Sequence, residues 1–483
     1  MGCTQHRILS NFNKARNFHQ SMTSRISYLR SGVPAASLCG LILASYLFAG
    51  LGIAETSSAQ QFEDPIEGLR EITLDNGLRV YTLEDHRTPV VSFQVWVQVG
   101  SKDETRYTGL AHLFEHMMFK GSKNLGPERH AQLVGSRGGR INAFTNRDVT
   151  VYHEDVTSES LPLVIDLEAE RFGNLDISEK TLTSEREVVL EERRLKYEDR
   201  ANGRAFEALS ALAWKAHPYR TPVIGWRSDV AAVTVEACRE FFDTYYAPNN
   251  FFIVIAGDFE AEETLAHIRR AFGSLPRGEA VLRAPTIEPE QDGERRAVVE
   301  FEVQAPLVMA AWHAPATGHE DGAALDVSGQ IFSGGRSSRL YRSLVYEAQI
   351  ASYAQAYYAE YMHAGLYYAH AAVRPGESAQ EVETRMFAEL QRAADEGVSD
   401  EEVAKAKRQL EVSLVERLGT THSLANRIGL EISFFGKVRS LQSRLDQIQS
   451  VTKEDVQRVL KKYLRANQRS VVWVVPTPEE DSP

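Results

Sequence analysis

Only three cysteines, Cys3, Cys39 and Cys238, occur in 483 residues. If residues 1–59 are removed, Cys238 alone remains. No internal disulfide can then form, and stability must come from buried apolar surface even in an oxidising compartment. Acid is missing from the start as well: the first acidic residue is Glu55, whereas Arg7, Lys14, Arg16, Arg25 and Arg30 precede it. The apolar run from Val33 to Ala54 follows that basic stretch, which is the charge order of an export signal. Ser57-Ser58-Ala59 supplies a small-x-small cleavage site, giving a mature chain from near Gln60, with Met22 as an alternative start. Two other readings stay open: an uncleaved anchor, since about 20 apolar residues span a bilayer, and a mitochondrial presequence, also rich in Arg and Ser. Lipid attachment is unsupported, because Leu38 before Cys39 is bulky and MGCTQH lacks Ser or Thr at its sixth position.

A basic excess is also absent. The net charge is −12, and losing residues 1–59 removes five of 54 basic and one of 66 acidic residues, leaving 49 against 65, or −16. Such a balance argues against a nucleic-acid partner and mildly favours basic peptides. Hydrophobic and charged fractions of 43% and 25% are those of a globular chain, neither disordered nor a polytopic membrane protein. The length calls for two or three domains.

What is present is a mixture of periods. VVSFQVWVQV at 90–99 alternates Val91, Phe93, Val95, Val97 and Val99 with Ser92, Gln94, Trp96 and Gln98, a strand with unlike faces. Further strands are expected at 71–83 and 140–156, and helices near 106–119, 127–137 and 159–172. The absence of regular βαβ alternation points to an α+β fold. An internal repeat organises the chain: VTVEACREFFDTYYAPNNFFIVIAG from Val233 matches VTKEDVQRVLKKYLRANQRSVVWVV from Val451 at an offset of 218 residues. Thr234, Glu236, Tyr245 and Asn249 pair with Thr452, Glu454, Tyr463 and Asn467, each copy reading as a Thr-capped helix, a turn and an apolar strand. A Pro-, Gly- and charge-rich stretch, 274–297, separates the copies. The expected architecture is two homologous α/β-sandwich domains related by duplication, 60–275 and 298–483, joined by a linker at 276–297.

In GLAHLFEHMMFKGS, from Gly109 to Ser122, helical spacing sets Leu110, Leu113, Phe114 and Met117 on one side and His112, Glu115 and His116 on the other. Imidazoles at i and i+4 can reach one tetrahedral cation, with the i+3 carboxylate beside its water, and His-x-x-Glu-His is the inverted zincin order. A catalytic cation needs a third protein ligand. SEREVVLEERRLKYED, from Ser184, reads as a helix on which Glu185 and Glu192 share a face while Glu187 and Glu191 point elsewhere, which makes Glu192 the candidate.

These motifs resemble the pitrilysin/insulinase family of zinc metallopeptidases, most of all the branch of mitochondrial processing peptidases and their bacterial relatives. Glu192 follows His116 by 76 positions within ERE-VV-LE-E, as the family pattern requires, and INAFTNRDVTVYH from Ile141, HPYRTPVIGW from His217 and GGRSSRLY from Gly334 add to the likeness. The resemblance implies one Zn2+ per chain held by His112, His116 and Glu192, with Glu115 as general base and Glu185 as accessory carboxylate. It further implies that Asn142, Ala143, Phe144 and Thr145 form an edge strand receiving an extended peptide, and that Arg339 helps hold that peptide.

The second copy departs from this pattern. Aligned on its GG end, it places Asp326, Gly329 and Gln330 where the first has His112, Glu115 and His116, so a degenerate, metal-free domain is expected. An Arg and a Tyr seven residues apart, common in the family's second half, are replaced by Val345 and Ser352, with Tyr346 and Tyr353 displaced by one. A metal-free homologous subunit would supply the missing grip in a heterodimer, and a homodimer is the other arrangement. The resulting expectation is an exported or periplasmic endopeptidase. Its rivals are a mitochondrial presequence-processing enzyme, a non-catalytic core subunit of a larger complex, and a purely structural zinc module, which the lack of cysteine ligands disfavours.

Overall fold

A computed structural model describes residues 64–478, so the proposed signal or anchor lies outside the described residues. Among the described residues no helix is long and apolar enough to cross a membrane. Six strands of the first half, β1 (Arg70–Thr73), β2 (Arg79–Glu84), β3 (Val90–Val97), β4 (Arg140–Thr145), β5 (Thr150–Thr157) and β6 (Phe251–Gly257), form one sheet in the order β1-β2-β6-β3-β5-β4. The second half builds a five-stranded sheet from β7 (Arg295–Phe301), β8 (Leu307–Ala314), β9 (Ala351–Glu360), β10 (Gly365–Val373) and β11 (Arg469–Pro476), ordered β7-β11-β8-β10-β9. Without β1 the two orders coincide strand for strand, and the parallel pairs, β2 with β6 and β7 with β11, fall at the same place. The sequence repeat is therefore a duplication of topology.

Among the described residues, eight α-helices belong to the first half: α1 (Leu110–Met117), α2 (Arg129–Ser136), α3 (Leu161–Asn174), α4 (Glu179–Arg193), α5 (Ala201–Ala213), α6 (Arg227–Ala232), α7 (Val235–Tyr245) and α8 (Ala261–Phe272). Six lie in the second: α9 (Gly322–Ser333), α10 (Ala379–Glu396), α11 (Asp400–Glu416), α12 (Thr421–Phe435), α13 (Leu441–Ser450) and α14 (Lys453–Tyr463). The repeated helices are α7 and α14, and the hydroxyls of Thr234 and Thr452 accept from the backbone N–H of Ala237 and Asp455 as the caps that start them.

Two expected strands divide into antiparallel pairs. The 71–83 stretch turns at Asn76-Gly77, where Gly77 takes φ +91° and the Asn76 side chain accepts from the Leu78 N–H at 3.2 Å. The 140–156 stretch turns at Asn146, whose Oδ1 accepts from the N–H groups of Asp148 and Val149 at 2.7 and 2.8 Å. Because β7 already begins at Arg295, regular structure starts inside the stretch expected as linker.

Packing ties the halves together more closely than two sandwiches joined by a linker. On one face of the first sheet, Phe93, Val95 and Val97 meet Leu113 and Phe114 of α1 and Val164 of α3. Its other face, including the buried Ser92, Gln94 and Trp96, is covered by Leu424, Ala425, Ile428 and Ile432 of α12, a helix of the second half. Reciprocally, the second sheet packs α9, α10 and α14 on one face, while Met309, Leu366 and Val472 on the other are covered by Ala205, Leu209 and Trp214 from the α5 region of the first half. Each sheet borrows one covering helix from the other copy.

Candidate metal centre

The helix bearing the His-x-x-Glu-His motif starts where it does because of a buried carboxylate. Glu104 accepts from the backbone N–H groups of Gly109 and Ala111, both at 2.8 Å, satisfying donors that a helix N-terminus leaves open. Burial still pushes its pKa up to about 8. The backbone at 108–109 presses against that at 224–225: a Cβ on Gly109, at φ +84°, would stand 2.4 Å from the Ile224 carbonyl, and one on Gly225, at φ +75°, 2.2 Å from that of Thr108. This close approach gives the glycine of HPYRTPVIGW a physical reason. Leu110, Leu113, Phe114 and Met117 are buried, leaving His112, Glu115 and His116 as a separate stripe.

The second helix, α4, is capped by Ser178 and buries Thr181, Leu182, Glu185 and Val189 while Glu187 and Glu191 face solvent. Its inward face meets α1, bringing Glu192 Oε2 to 3.3 Å from His116 Nε2 and 3.8 Å from His112 Nε2. In a tetrahedron with bonds of roughly 2.0–2.1 Å, two ligand atoms lie about 3.3 Å apart, so the His116–Glu192 pair has the separation that zinc takes, the His112–Glu192 pair is wider, and the donor chemistry suits zinc. Glu185 Oε2 stands 3.6 Å from His116 Nδ1, and its Oε1 is 3.2 Å from Lys120 Nζ, placing it to orient a ligand histidine. Lys196 donates to Glu192 Oε1 at 2.5 Å, and the Thr145 hydroxyl donates to Glu115 Oε2 at 2.6 Å. His112 Nδ1 is buried without a hydrogen-bond partner.

The charges of these groups act on one another. Burial, reinforced by His116, lowers the His112 pKa to about 4, leaving its ring neutral with a lone pair to offer. Burial would lower His116 too, but the carboxylates of Glu185 and Glu192 overcome it and hold that pKa at about 9. The His116 imidazole in turn draws Glu192 down to about 2, so the ligand carboxylate stays ionised. Burial raises Glu115, a shift towards the range useful to a proton carrier, against the opposing bond from Thr145.

Strand β4 is an edge, paired with β5 alone. Ala143 and Thr145 look towards α1, whereas Asn142 and Phe144 point to the opposite face, Phe144 lying edge-on to Trp96 at 6.1 Å. Side chains of only half the stretch thus face the centre, and the rest of its offer is backbone. Arg339 does not join the site: its guanidinium is bidentate to Glu402 at 2.7 and 2.8 Å and reaches the Gly397 carbonyl, so it ties the start of α11 in the second half. Val345 is buried and the Ser352 hydroxyl donates to the Ala372 carbonyl, while Tyr346 is 71% exposed, so no gripping pair arises there. On α9, Asp326 is bound to Arg444 at 2.7 Å, and among the described residues no metal-compatible cluster includes it.

Residues not foreseen are Lys120, Lys196 and Arg147. The first two follow His116 and Glu192 by four positions, a spacing that reads as charge pairing on a helix. Arg147 sits in the β4–β5 turn with its guanidinium 4.9 Å above the Tyr361 ring. It lines a cleft of about 380 Å³ with Lys196, Phe206, Tyr357, Tyr361 and Tyr368.

The profile described as Insulinase (Peptidase family M16) matches residues 79–226, and that described as Peptidase M16 inactive domain matches residues 232–410. The chain is 32% identical over 411 residues to the "Uncharacterized zinc protease Rv2782c" of Mycobacterium tuberculosis, covering 83% of this chain and 92% of that one. Identity to "Zinc protease PqqE" of Helicobacter pylori is 28% over 412 residues, covering 84% and 92%. Among solved structures, a protease from Helicobacter pylori has TM-score 0.82 at 27% identity, covering 86% of this chain and 100% of that one. The periplasmic protease PqqL of Escherichia coli has TM-score 0.72 at 22% identity, covering 85% and 48%, a likeness of fold alone.

Proposed function

This chain belongs to the insulinase family of peptidases, family M16, and from that membership we propose that it is a zinc-dependent endopeptidase acting on extended peptides or small unfolded proteins. The observation that carries the reading is the convergence of His112, His116 and Glu192, with the base candidate Glu115 on the same helix and the accessory Glu185 behind His116. The relatives named zinc proteases support the metal.

His112, His116 and Glu192 would hold a zinc ion, whose contribution when bound would be to lower the pKa of a water towards about 7 and to polarise the scissile carbonyl. Glu115 takes the proton from the attacking water and delivers it to the departing amide nitrogen, its carboxylate steered by the Thr145 hydroxyl. The free edge of β4 offers backbone N–H and C=O groups to a peptide lying as one more strand, a contact tolerant of varied side chains. The presence of the base with all three ligand candidates favours an enzyme over a core-type structural subunit.

Val345 and Ser352 support a supplementary reading, that a homologous subunit completes the substrate grip. The basic and apolar leading residues support export. Glu115→Gln, assayed on an unstructured fluorogenic peptide with zinc measured in parallel, is expected to keep the metal and lose at least about 10³-fold in kcat. Turnover near the unaltered rate would overturn the assignment.

A further inference from the structure

We propose a second divalent-cation site, of the zinc class, formed by His153 and Asp155 of β5 with His422 in the first turn of α12. Strand alternation sets His153 and Asp155 on the same face of the first sheet, opposite the face that meets α1. That face is apolar where α12 lies on it, through Trp96, Val151, Phe252 and Val254, and turns polar at the end where the helix begins. There His422 Nδ1 and Asp155 Oδ1 are 3.1 Å apart, near the tetrahedral ligand separation of about 3.3 Å used above. The His153 and His422 rings stand 4.7 Å apart at 67°, and one donor atom from each of the three residues lies within 4.8 Å of the others.

An ion pair between His422 and Asp155 that merely fastens the helix explains part of this arrangement. It leaves His153 Nδ1 buried without a partner, a costly state that a cation shared by the three would relieve. Ser92 stands opposite Asp155 in the strand register, and Gln94 Nε2 donates to the His422 carbonyl at 3.3 Å, which fixes the backbone that carries the helical ligand. The side chains of His422 and Asp155 are 38% and 35% exposed, which leaves a way in and a position for water.

A further cluster, His130 with Glu154 and Glu168, also leaves both His130 nitrogens without a hydrogen-bond partner, so the orphaned imidazole alone does not distinguish the two groups. There Arg171 hydrogen-bonds both carboxylates and takes the cation's place in a sealed interior. At the proposed site Arg140 stands opposite Asp155 in the strand register, but the cation Asp155 contacts is His422. Two imidazoles and one carboxylate suit Zn2+, Ni2+ or Cu2+ rather than Ca2+ or Mg2+, which take oxygen ligands. Since β5 is in the first half and α12 in the second, the cation would staple the borrowed helix to its sheet and act on stability rather than on hydrolysis.

The test counts zinc by equilibrium dialysis of chelator-stripped full chain in four forms: unaltered, Glu192→Gln to disable the first site, Asp155→Asn, and the double variant. Expected values are about two, one, one and none per chain. One equivalent in the unaltered chain, or no loss on Asp155→Asn, overturns the proposal. Should Asp155→Asn not fold, the Glu192→Gln chain alone decides. Zn2+ is then expected to raise its Tm and to slow modification of His422 by diethyl pyrocarbonate at least about tenfold, since a ligated nitrogen is not nucleophilic. An unchanged Tm and unchanged modification refute the site whether or not the chain is a peptidase.

Discussion

Gly429 lies in the middle of α12, where a glycine ordinarily costs a helix about 1 kcal/mol relative to alanine. Gly429→Ala would therefore be expected to stabilise, were α12 not pressed against the first sheet. A Cβ there would stand 2.0 Å from Trp96 Cε2, against the roughly 3.5–4.0 Å of a normal carbon contact. Trp96 cannot yield easily: it is fully buried, stacked on Phe252 at 6.1 Å, edge-on to Phe144, and held by a 3.0 Å hydrogen bond from its Nε1 to Gln94. The helix must withdraw instead, loosening Leu424, Ala425, Ile428 and Ile432 together. Overpacking of this kind costs about 1–3 kcal/mol, and more when a whole face shifts, so after the helix-propensity gain a net loss of about 2 kcal/mol is expected. Gly135 in α2 is the control, since a Cβ there meets nothing within 4 Å and alanine should gain up to about 1 kcal/mol. Calorimetric melts should show Gly429→Ala falling by about 2–6 °C and Gly135→Ala holding or rising. If Gly429→Ala melted at or above the unaltered temperature, α12 would not be seated on Trp96 as described.

Lys196→Met removes the ammonium that binds Glu192 Oε1, and zinc dissociation measured against a chromophoric chelator should become about 10–100-fold faster. Asp321, enclosed before α9, receives Arg458, Lys462 and the Tyr463 hydroxyl at 2.6, 2.8 and 2.7 Å, which hold its pKa well below the usual carboxylate range despite the opposing pull of burial. A depressed acid stabilises above its unfolded pKa of about 3.9 and loses that contribution as pH falls below it, so Asp321→Asn should cost about 2–3 kcal/mol at pH 7. Denaturant titrations of the two forms should converge as the pH drops below about 4, and a constant gap would refute this account.

The sequence is most legible where function and periodicity coincide. His112, Glu115 and His116 stand out because α1 has an apolar stripe that excludes them, and Glu192 because it shares a face of α4 with Glu185. The duplication is readable from the Thr caps and closing strands because local hydrogen bonds and burial impose the same pattern twice. Other features depend on distant partners. Nothing in the spacing of Arg339 reveals that Glu402, 63 residues on, claims its guanidinium. Ser92 and Gln94 read as the polar side of a strand, and they are buried because a helix from the other half lies over them.

That exchange of helices bears on why a copy without metal chemistry is retained at all. Asp326 on α9 is bound to Arg444, and among the described residues no metal-compatible cluster includes it. The first sheet, however, presents Trp96, Val151, Phe252 and Val254 to α12, and among the described residues no helix of its own half takes that place in the packing. An uncovered apolar face of this size would lose several side chains' worth of burial, about 1.5–3 kcal/mol each, a sum comparable to the whole stability of a domain. The second half therefore bears on the His112–His116–Glu192 cluster through packing. Substitutions that unseat α12 would disturb the sheet whose edge strand brings Thr145 to Glu115. The same logic runs in reverse through α5, whose Ala205, Leu209 and Ala213 seal the second sheet, so each copy is held in place by what it lends.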